Sequence, residues 1–507
     1  MASTSKPKRK SMNATASSLN MRRNGISKKS ASPRFSTARI VFSSGIWTTI
    51  VGRFSPILPV ATAGFSRWAT SKAKDIWIAI SSGRERKSIG LDTAPRRRMT
   101  ILHTVSARTQ DSLSDDSAWM SDSERELFER ARLMQPTLAA TEASTREARE
   151  VPAEHIRALH SADLIRILQP NRFGGLQGNT RVFSRIVEEL ALGCSATAWV
   201  YAVFGEHQWV IACFPEQAQI DVWGSNPNAV ASSSLVPRGT LQTVAGGYRL
   251  SGSYPFSSGC GHAQWGLVGA FCTDEEGGRY QRYCLIPMAE ILVKDDWHVL
   301  GLEGTGSRSL VLNDVFVPAH RTVPFRDLIA GTTPGTAVHP HYPMMRAPRN
   351  MFAPFSQPPV VLGLVRRLLA LVAEMVKTRV SRGTTKVADS EVTHVKLAES
   401  AAAIEFAIRQ FRWRCERSVT ALYSGVPIPQ EERLATRRDI VYSHRLIRSA
   451  TEHLCELAGA TFVYDTSPLQ PIIRDIQTCL THGVAVFETA MVPYGRSMLG
   501  LEPSPPV

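Results

Sequence analysis

The sequence predicts an α+β fold in three parts: an N-terminal helical domain, a central small β-barrel and a C-terminal helical bundle. Three observations carry this reading. Apolar residues recur at helical spacing from about residue 122 to Trp223. Strand-length runs separated by Gly- and Ser-rich turns then follow to about residue 330. Helical spacing returns after that and lasts to about Met498. The expected divisions are a basic, disordered extension over 1–115, helices over 116–223, the barrel over 224–330 and the bundle over 331–507.

Composition bounds the class before any element is placed. The 507 residues are 43% hydrophobic and 20% charged, as in a soluble globular protein long enough for two or three cores. The formal charge of +15 is unevenly spread. Residues 1–98 hold 20 Lys and Arg against 3 Asp and Glu, and the rest hold 39 against 41. The near-neutral body gives no electrostatic reason to expect a nucleic-acid partner. The basic segment fits a transit peptide, a disordered arm, or upstream sequence ahead of a start at Met99, and the last is the expectation. Eight cysteines show no CxxC pair and no His/Cys cluster, so they read as reduced thiols of a cytoplasmic protein without a metal site. No apolar run reaches the roughly 18 residues of a membrane span.

The elements follow in order. Ser121 or Ser123 can cap a helix over 124–133. Helical spacing continues over 147–168, with Pro152 in a first turn, and a Gly-Gly turn interrupts it at 170–176. Further helices are expected over 182–199 and 204–214. Alternating runs at 243–250, 265–271, 279–286, 291–299 and 309–318 predict short strands of an antiparallel barrel or sandwich. Asp274-Glu-Glu-Gly-Gly278 reads as a hairpin turn. Residues 330–350 form a loop. Helices are then expected over 360–380, 395–423, 432–457 and 473–490.

The stretch most suggestive of a site is Ser251-Gly-Ser-Tyr-Pro-Phe-Ser-Ser-Gly-Cys-Gly-His-Ala-Gln-Trp265, set between two strand-like runs. Its small residues allow close approach of a flat ligand, and Phe256 and Trp265 offer apolar faces. Two more blocks accompany it. One is Trp297-His-Val-Leu-Gly-Leu-Glu-Gly-Thr-Gly-Ser-Arg308, and the other is Gly459-Ala-Thr-Phe-Val-Tyr-Asp-Thr-Ser-Pro-Leu-Gln470 with Arg474-Asp475 and His482 behind it. In this order, over about residues 120–500, the blocks resemble the acyl-CoA dehydrogenase fold. More closely they resemble the oxygenase components of two-component flavin-dependent monooxygenases, p-hydroxyphenylacetate hydroxylase among them.

The resemblance implies an oxygenase that hydroxylates a phenolic or polycyclic aromatic substrate with reduced FMN or FAD and O2, through a C4a-hydroperoxyflavin. A separate flavin reductase would supply the reduced flavin, because no GxGxxG nicotinamide motif follows a predicted strand. Ser258 matches a hydroxyl residue beside flavin N5, with Phe256, Ser257 and Gly259 as further flavin contacts. Ser233 and Ser234 match a small-residue segment between flavin and substrate. His482 matches a histidine near the flavin C4a edge, and His207 one that meets the substrate phenol. The family's flavin sites lie between subunits, which implies a homotetramer.

Rival readings follow from the same residues. Many acyl-CoA dehydrogenases carry a glutamate where this chain has Gly483, and proton abstraction needs such a base. An N- or S-oxygenase of the same fold and an inactive flavin-binding protein are two further rivals. Two departures from the hydroxylase pattern are Glu303 and Pro471, both at positions where arginine is common in that group.

Overall fold

A computed structural model describes residues 120–273, 277–381 and 385–504, all within the compact unit Leu91–Val507. The expected basic extension and the acidic tip of the predicted hairpin at 274–276 lie outside the described residues.

Five helices come first: α1 (Asp122–Ala148), α2 (Ala153–Ser161), α3 (Thr180–Ala191), α4 (Ser195–Ala212) and α5 (Glu216–Trp223). Ser121, not Ser123, caps α1. Its Oγ accepts the Glu124 N–H at 3.3 Å while Glu124 accepts the Ser121 N–H at 2.8 Å. Asn179 caps α3, and its side-chain amide donates to Glu124 at 2.9 Å, so one carboxylate serves both helix starts.

The expected helices over 147–168 and 182–199 are corrected. The first breaks at Arg149, whose φ of 53° ends α1, and Pro152 stands just before α2. The second breaks at 192–194. A Cβ on Gly193 would stand 2.9 Å from Gln135 O and Leu138 Cβ, so only glycine lets the chain pass α1 there. The new helix α4 then runs unbroken to Ala212 with every residue buried, as a helix apolar on nearly all sides must be.

Seven strands follow: β1 (Ala231–Val244), β2 (Gly247–Ser257), β3 (Trp265–Thr273), β4 (Arg279–Pro287), β5 (Leu292–Lys294), β6 (Arg308–Pro318) and β7 (Thr322–Pro324). Their order is β5-β6-β2-β1-β3-β4-β7. The sheet is mixed rather than antiparallel. The β1–β2 hairpin leaves β2 to pair with β6, and β3 joins the free edge of β1 in parallel. The run expected as one strand at 243–250 is that hairpin, turning at Gly246 with φ 79°. Alternate residues of β3 and β4 serve two cores. Leu267 and Leu285 face the helices, whereas Val268 and Cys284 face a second core enclosed by the sheet. Both faces are therefore buried, which explains why these runs read as nearly continuous apolar segments.

The remaining helices are α6 (Phe325–Ala330), α7 (Pro334–Val338), α8 (Arg349–Phe352), α9 (Pro359–Thr378), α10 (Glu391–Tyr423), α11 (Gln430–Ala458), α12 (Leu469–Cys479) and α13 (Phe487–Met498). Pro471 is the third residue of α12, where a missing N–H leaves no helical bond unmade. The final helix expected over 473–490 is in fact two, α12 and α13. The chain leaves the helix at 480–486, and His482 stands on that turn instead of on a helix face. All eight cysteines are free, and seven are buried. No helix among the described residues is long and apolar enough to cross a membrane.

A buried charge cluster joins three helices. Glu188 of α3 takes Arg412 of α10 at 2.9 Å and Arg366 of α9 at 2.7 Å. Burial pushes its carboxyl up, but Arg412, Arg366 and Arg185 outweigh that and hold it down at about 2. Glu188→Ala removes the carboxylate that Arg412 and Arg366 share and is expected to cost about 3–5 kcal/mol in equilibrium denaturation. A loss below about 1 kcal/mol would show that the cluster does not hold the helices together.

Candidate active site

A cavity of about 610 Å³ opens where α4, the sheet and the turn after α12 meet. Trp199, Val203, Glu206 and His207 line it from α4. Their spacing puts all four on one helix face. Of the residues named from sequence, His482, His207, Ser258, Phe256, Ser233 and Ser234 also line it. Ser257 and Gly259 do not. Ser257 is wholly buried behind the wall. Gly259 donates its N–H to Thr305 O at 2.9 Å, and a Cβ there would strike Phe204 and Val200 within 2.9 Å. That glycine lets the loop pack closely on α4.

Trp199, which sequence reasoning passed over as a helix end, ties the named residues together. Its indole N–H donates to Ser258 Oγ at 3.1 Å. Its ring meets the His482 imidazole edge-on, with centroids 5.3 Å apart at 83°. Phe256 holds a φ of 68° and is 64% exposed, with its ring against Trp297 at 6.0 Å.

The two histidines are electrostatically alike and differ in what they offer. His207 Nδ1 lies 2.6 Å from Ala231 O. A carbonyl only accepts, so Nδ1 carries the proton and Nε2 is left as an acceptor. Burial lowers the His207 pKa, against the opposing pull of Glu206. His482 is half-buried as a residue, but its Nδ1 is shielded and has no hydrogen-bond partner. Burial again dominates and holds its pKa at about 4, so the ring is neutral at neutral pH.

Glu206 is the only carboxylate among the lining residues. Burial pushes its pKa up, but Arg349 first, then His207, Ser356 and Gln357, bring it below its ordinary value. Arg349 Nη2 lies 2.6 Å from Glu206 Oε1, Ser356 donates to Oε2 at 2.5 Å and Gln357 donates to it at 2.6 Å. Two other Arg349 nitrogens, Nε and Nη1, are buried without a hydrogen-bond partner. Arg349 sits in the Pro-rich loop region expected from sequence, where no periodicity marks a functional side chain.

Asp475 anchors the loop that closes one wall. Its carboxylate accepts the Leu302 N–H at 2.6 Å and the Ser195 hydroxyl at 2.5 Å. Leu302 lines the cavity with a left-handed φ of 57°, a conformation that needs such an anchor. The neighbouring Glu303 finds partners within the chain, Arg474 at 2.7 Å and Arg146 at 4.0 Å, so its departure from arginine leaves no unpaired charge.

These walls fit a planar, hydrogen-bonding ring system. They offer aromatic faces at Phe256 and Trp297, a serine oxygen at Ser258, an unpartnered imidazole nitrogen at His482 and small hydroxyls on β1. A flavin has that form. No group of three or more His, Cys, Asp or Glu able to hold a metal occurs among the described residues.

Comparison with known proteins agrees with this geometry. Residues 121–224 match the acyl-CoA dehydrogenase N-terminal domain and residues 356–487 the acyl-CoA dehydrogenase C-terminal domain. The chain is 34% identical over 372 residues to the oxygenase component of an FADH2-dependent resorcinol hydroxylase from Rhizobium sp. (strain MTP-10005), covering 71% of this chain and 90% of that protein. It is similar to the crystal structure of 3-HSA hydroxylase from Rhodococcus sp. RHA1, with a TM-score of 0.71 and 33% identity over 74% of this chain and 97% of that one. XiaF from Streptomyces sp., solved with FADH2 and glycerol, gives 0.70 and 28% over 78% of this chain and 99% of that one.

The Asp475 anchor has a measurable signature. Burial raises its pKa from the ordinary 3.8 to about 6, against the pull of the Leu302 and Ser195 bonds. The folded chain therefore binds this proton more readily than the unfolded chain. The residue's contribution to stability falls as pH rises from about 4 to about 6, and is constant above. Asp475→Asn is expected to gain on the parent protein across that window, by up to about 3 kcal/mol, and to keep the gain at higher pH. Denaturation at a series of pH values checks this, and a difference that does not vary with pH contradicts it.

Proposed function

The chain belongs to the oxygenase components of flavin-dependent monooxygenases built on the acyl-CoA dehydrogenase fold, and from that premise we propose that it hydroxylates a phenolic or polycyclic aromatic substrate. Its cofactor is a reduced flavin, FMN or FAD. When bound, that flavin activates O2, so that one oxygen atom enters the ring and the other leaves as water.

The observation that carries this reading is the pairing of His207 with Glu206 on one face of α4. His207 presents a fixed acceptor, Nε2, because Ala231 holds its other nitrogen. A phenol O–H donating to that nitrogen gains electron density on its ring, which is what attack on an electrophilic oxygen requires. Glu206 is held by Arg349, Ser356 and Gln357, so it is not poised to abstract a proton alpha to a thioester. Ser258 faces the flavin N5 in this reading. His482, neutral at working pH, acts as a hydrogen-bonding and proton-handling group rather than as a fixed positive charge.

The substrate class can be narrowed. Beyond Tyr283, Phe325 and Arg349 the cavity adjoins a cleft of about 810 Å³ that adds Arg326, Arg433 and Arg437 and no carboxylate. Burial lowers the Arg437 pKa, and Arg433 Nε is buried without a hydrogen-bond partner. An aromatic ring bearing an anionic arm suits this arrangement.

The name shared by the relatives, oxygenase component, supports a separate reductase as the source of reduced flavin. The eight unpaired cysteines suit a reducing cytoplasm, which cell fractionation tests. A homotetramer is supported by exposed apolar side chains on the long bundle helices, among them Phe406, Trp413 and Tyr442. A monomer by light scattering at micromolar concentration would rule that out.

The decisive experiment couples the purified protein to a flavin reductase and measures hydroxylated phenol and hydrogen peroxide together. Product is expected, with a lower KM for 4-hydroxyphenylacetate than for 4-methylphenol. His207→Ala should lower kcat by about 10²- to 10⁴-fold while flavin binding persists. If no phenol is hydroxylated and an acyl thioester instead reduces the bound oxidised flavin, the dehydrogenase reading replaces this one.

A further inference from the structure

We infer that a chain of three buried hydroxyls makes this site selective for the reduced over the oxidised flavin; the inference rests on the reading that flavin N5 lies beside Ser258. The chain begins at the Leu302 carbonyl, which can only accept. Thr305 donates its hydroxyl proton to that carbonyl at 2.8 Å. A hydroxyl has one proton, so the 2.6 Å contact between Thr305 and Ser307 must be donated by Ser307. By the same count, the 2.7 Å contact between Ser307 and Ser258 is donated by Ser258. Trp199 then donates its indole N–H to Ser258 Oγ at 3.1 Å. All three hydroxyl residues are buried.

Ser258 is left with one lone pair toward the cavity and no proton to offer. Reduced flavin carries a hydrogen on N5 and donates. Oxidised flavin has a lone pair there and must accept. The first finds its complement in Ser258, and the second meets lone pair with lone pair. Relief would require every proton in the chain to reverse. That would cost the Leu302 carbonyl its 2.8 Å bond and leave it the longer ones from the Thr305 N–H at 3.1 Å and from Trp297 at 3.3 Å, so oxidised flavin has one hydrogen bond fewer than reduced flavin in either arrangement. Leu302 cannot swing away to compensate, since Asp475 holds its N–H at 2.6 Å and its backbone is left-handed. Ser307 and Thr305 are therefore positioning residues, acting on the flavin through Ser258.

Such selectivity suits a protein that takes up reduced flavin from a partner and must release it oxidised. It also separates Ser307 from ordinary packing, because its removal should improve one affinity instead of weakening both. In Ser307→Ala the Ser258 proton loses its acceptor and can turn to the cavity, where it donates to oxidised N5.

The test measures dissociation constants of oxidised flavin in air and reduced flavin under anaerobic conditions, by quenching of tryptophan fluorescence. The parent protein should bind the reduced form more tightly. In Ser307→Ala the ratio of oxidised to reduced dissociation constants should fall about tenfold, the worth of one hydrogen bond. The midpoint potential of bound flavin should fall by about 30 mV, the same factor for a two-electron couple. Thr305→Val frees the chain at its other end and should shift the ratio the same way, so it stands in if Ser307→Ala does not fold. Thr305→Ser keeps the hydroxyl and should leave the ratio as in the parent. Unchanged ratios in Ser307→Ala and Thr305→Val, with flavin bound, overturn the inference alone. A parent protein that binds both redox states equally also overturns it. Failure of the parent to bind flavin in either state overturns the functional reading beneath it.

Discussion

Three separate parts of the chain converge on the carboxylate of Asp475. The residue belongs to α12, accepts from Ser195 at the start of α4, and accepts from Leu302 in the loop between β5 and β6. A buried carboxylate is costly unless its oxygens are satisfied, and here both are. The geometry this enforces is local but far-reaching. It fixes the start of the helix that carries Trp199, Glu206 and His207, and it fixes a left-handed peptide whose carbonyl ends the hydroxyl chain. The elevated pKa of Asp475 is what remains of the burial cost after those two bonds, with a smaller push from Glu142 and Glu303.

The cavity built on that anchor carries little free charge. Both histidines are driven toward neutrality by burial, and Glu206 and Arg349 lie against each other. Polar groups in such a place act through directed lone pairs and protons, not through long-range fields. The direction of each proton therefore matters more than the sum of charges. Ala231 sets it for His207 and Leu302 sets it for Ser258, in both cases through a backbone carbonyl that cannot donate.

Much of this was legible in the sequence, and the reasons differ by element. The helix–sheet–helix order follows from periodicity alone. Ser258, His207 and His482 were legible because each lies in a block with recognisable neighbours. The breaks at 192–194 and 480–486 were not. Apolar spacing runs through both, and only the close passage of α1 over Gly193 shows why the first must occur. The second places His482 on a turn, which no helical pattern announces. Trp199 was hidden because a helix expected to end at that residue concealed that 199, 203, 206 and 207 share a face of one helix. Ser257 and Gly259 lie behind the cavity wall for a related reason: a small residue signals close approach but not what approaches. At Gly259 the neighbour is α4. The parallel β1–β3 pair depends on which strand edge is left open, a tertiary fact that strand patterns do not encode.

The buried cysteines acquire a meaning beside this chemistry. An oxygenase that wastes reductant makes hydrogen peroxide, and the thiolate is the form of cysteine that peroxide attacks. Burial pushes the Cys194 thiol up to about 11 and those of Cys213, Cys284 and Cys415 up to about 12. At pH 7 a thiol with a pKa near 11 is ionised in roughly one molecule in ten thousand. The same close packing that shapes the cavity thus protects these four thiols from the oxidant most apt to form within it.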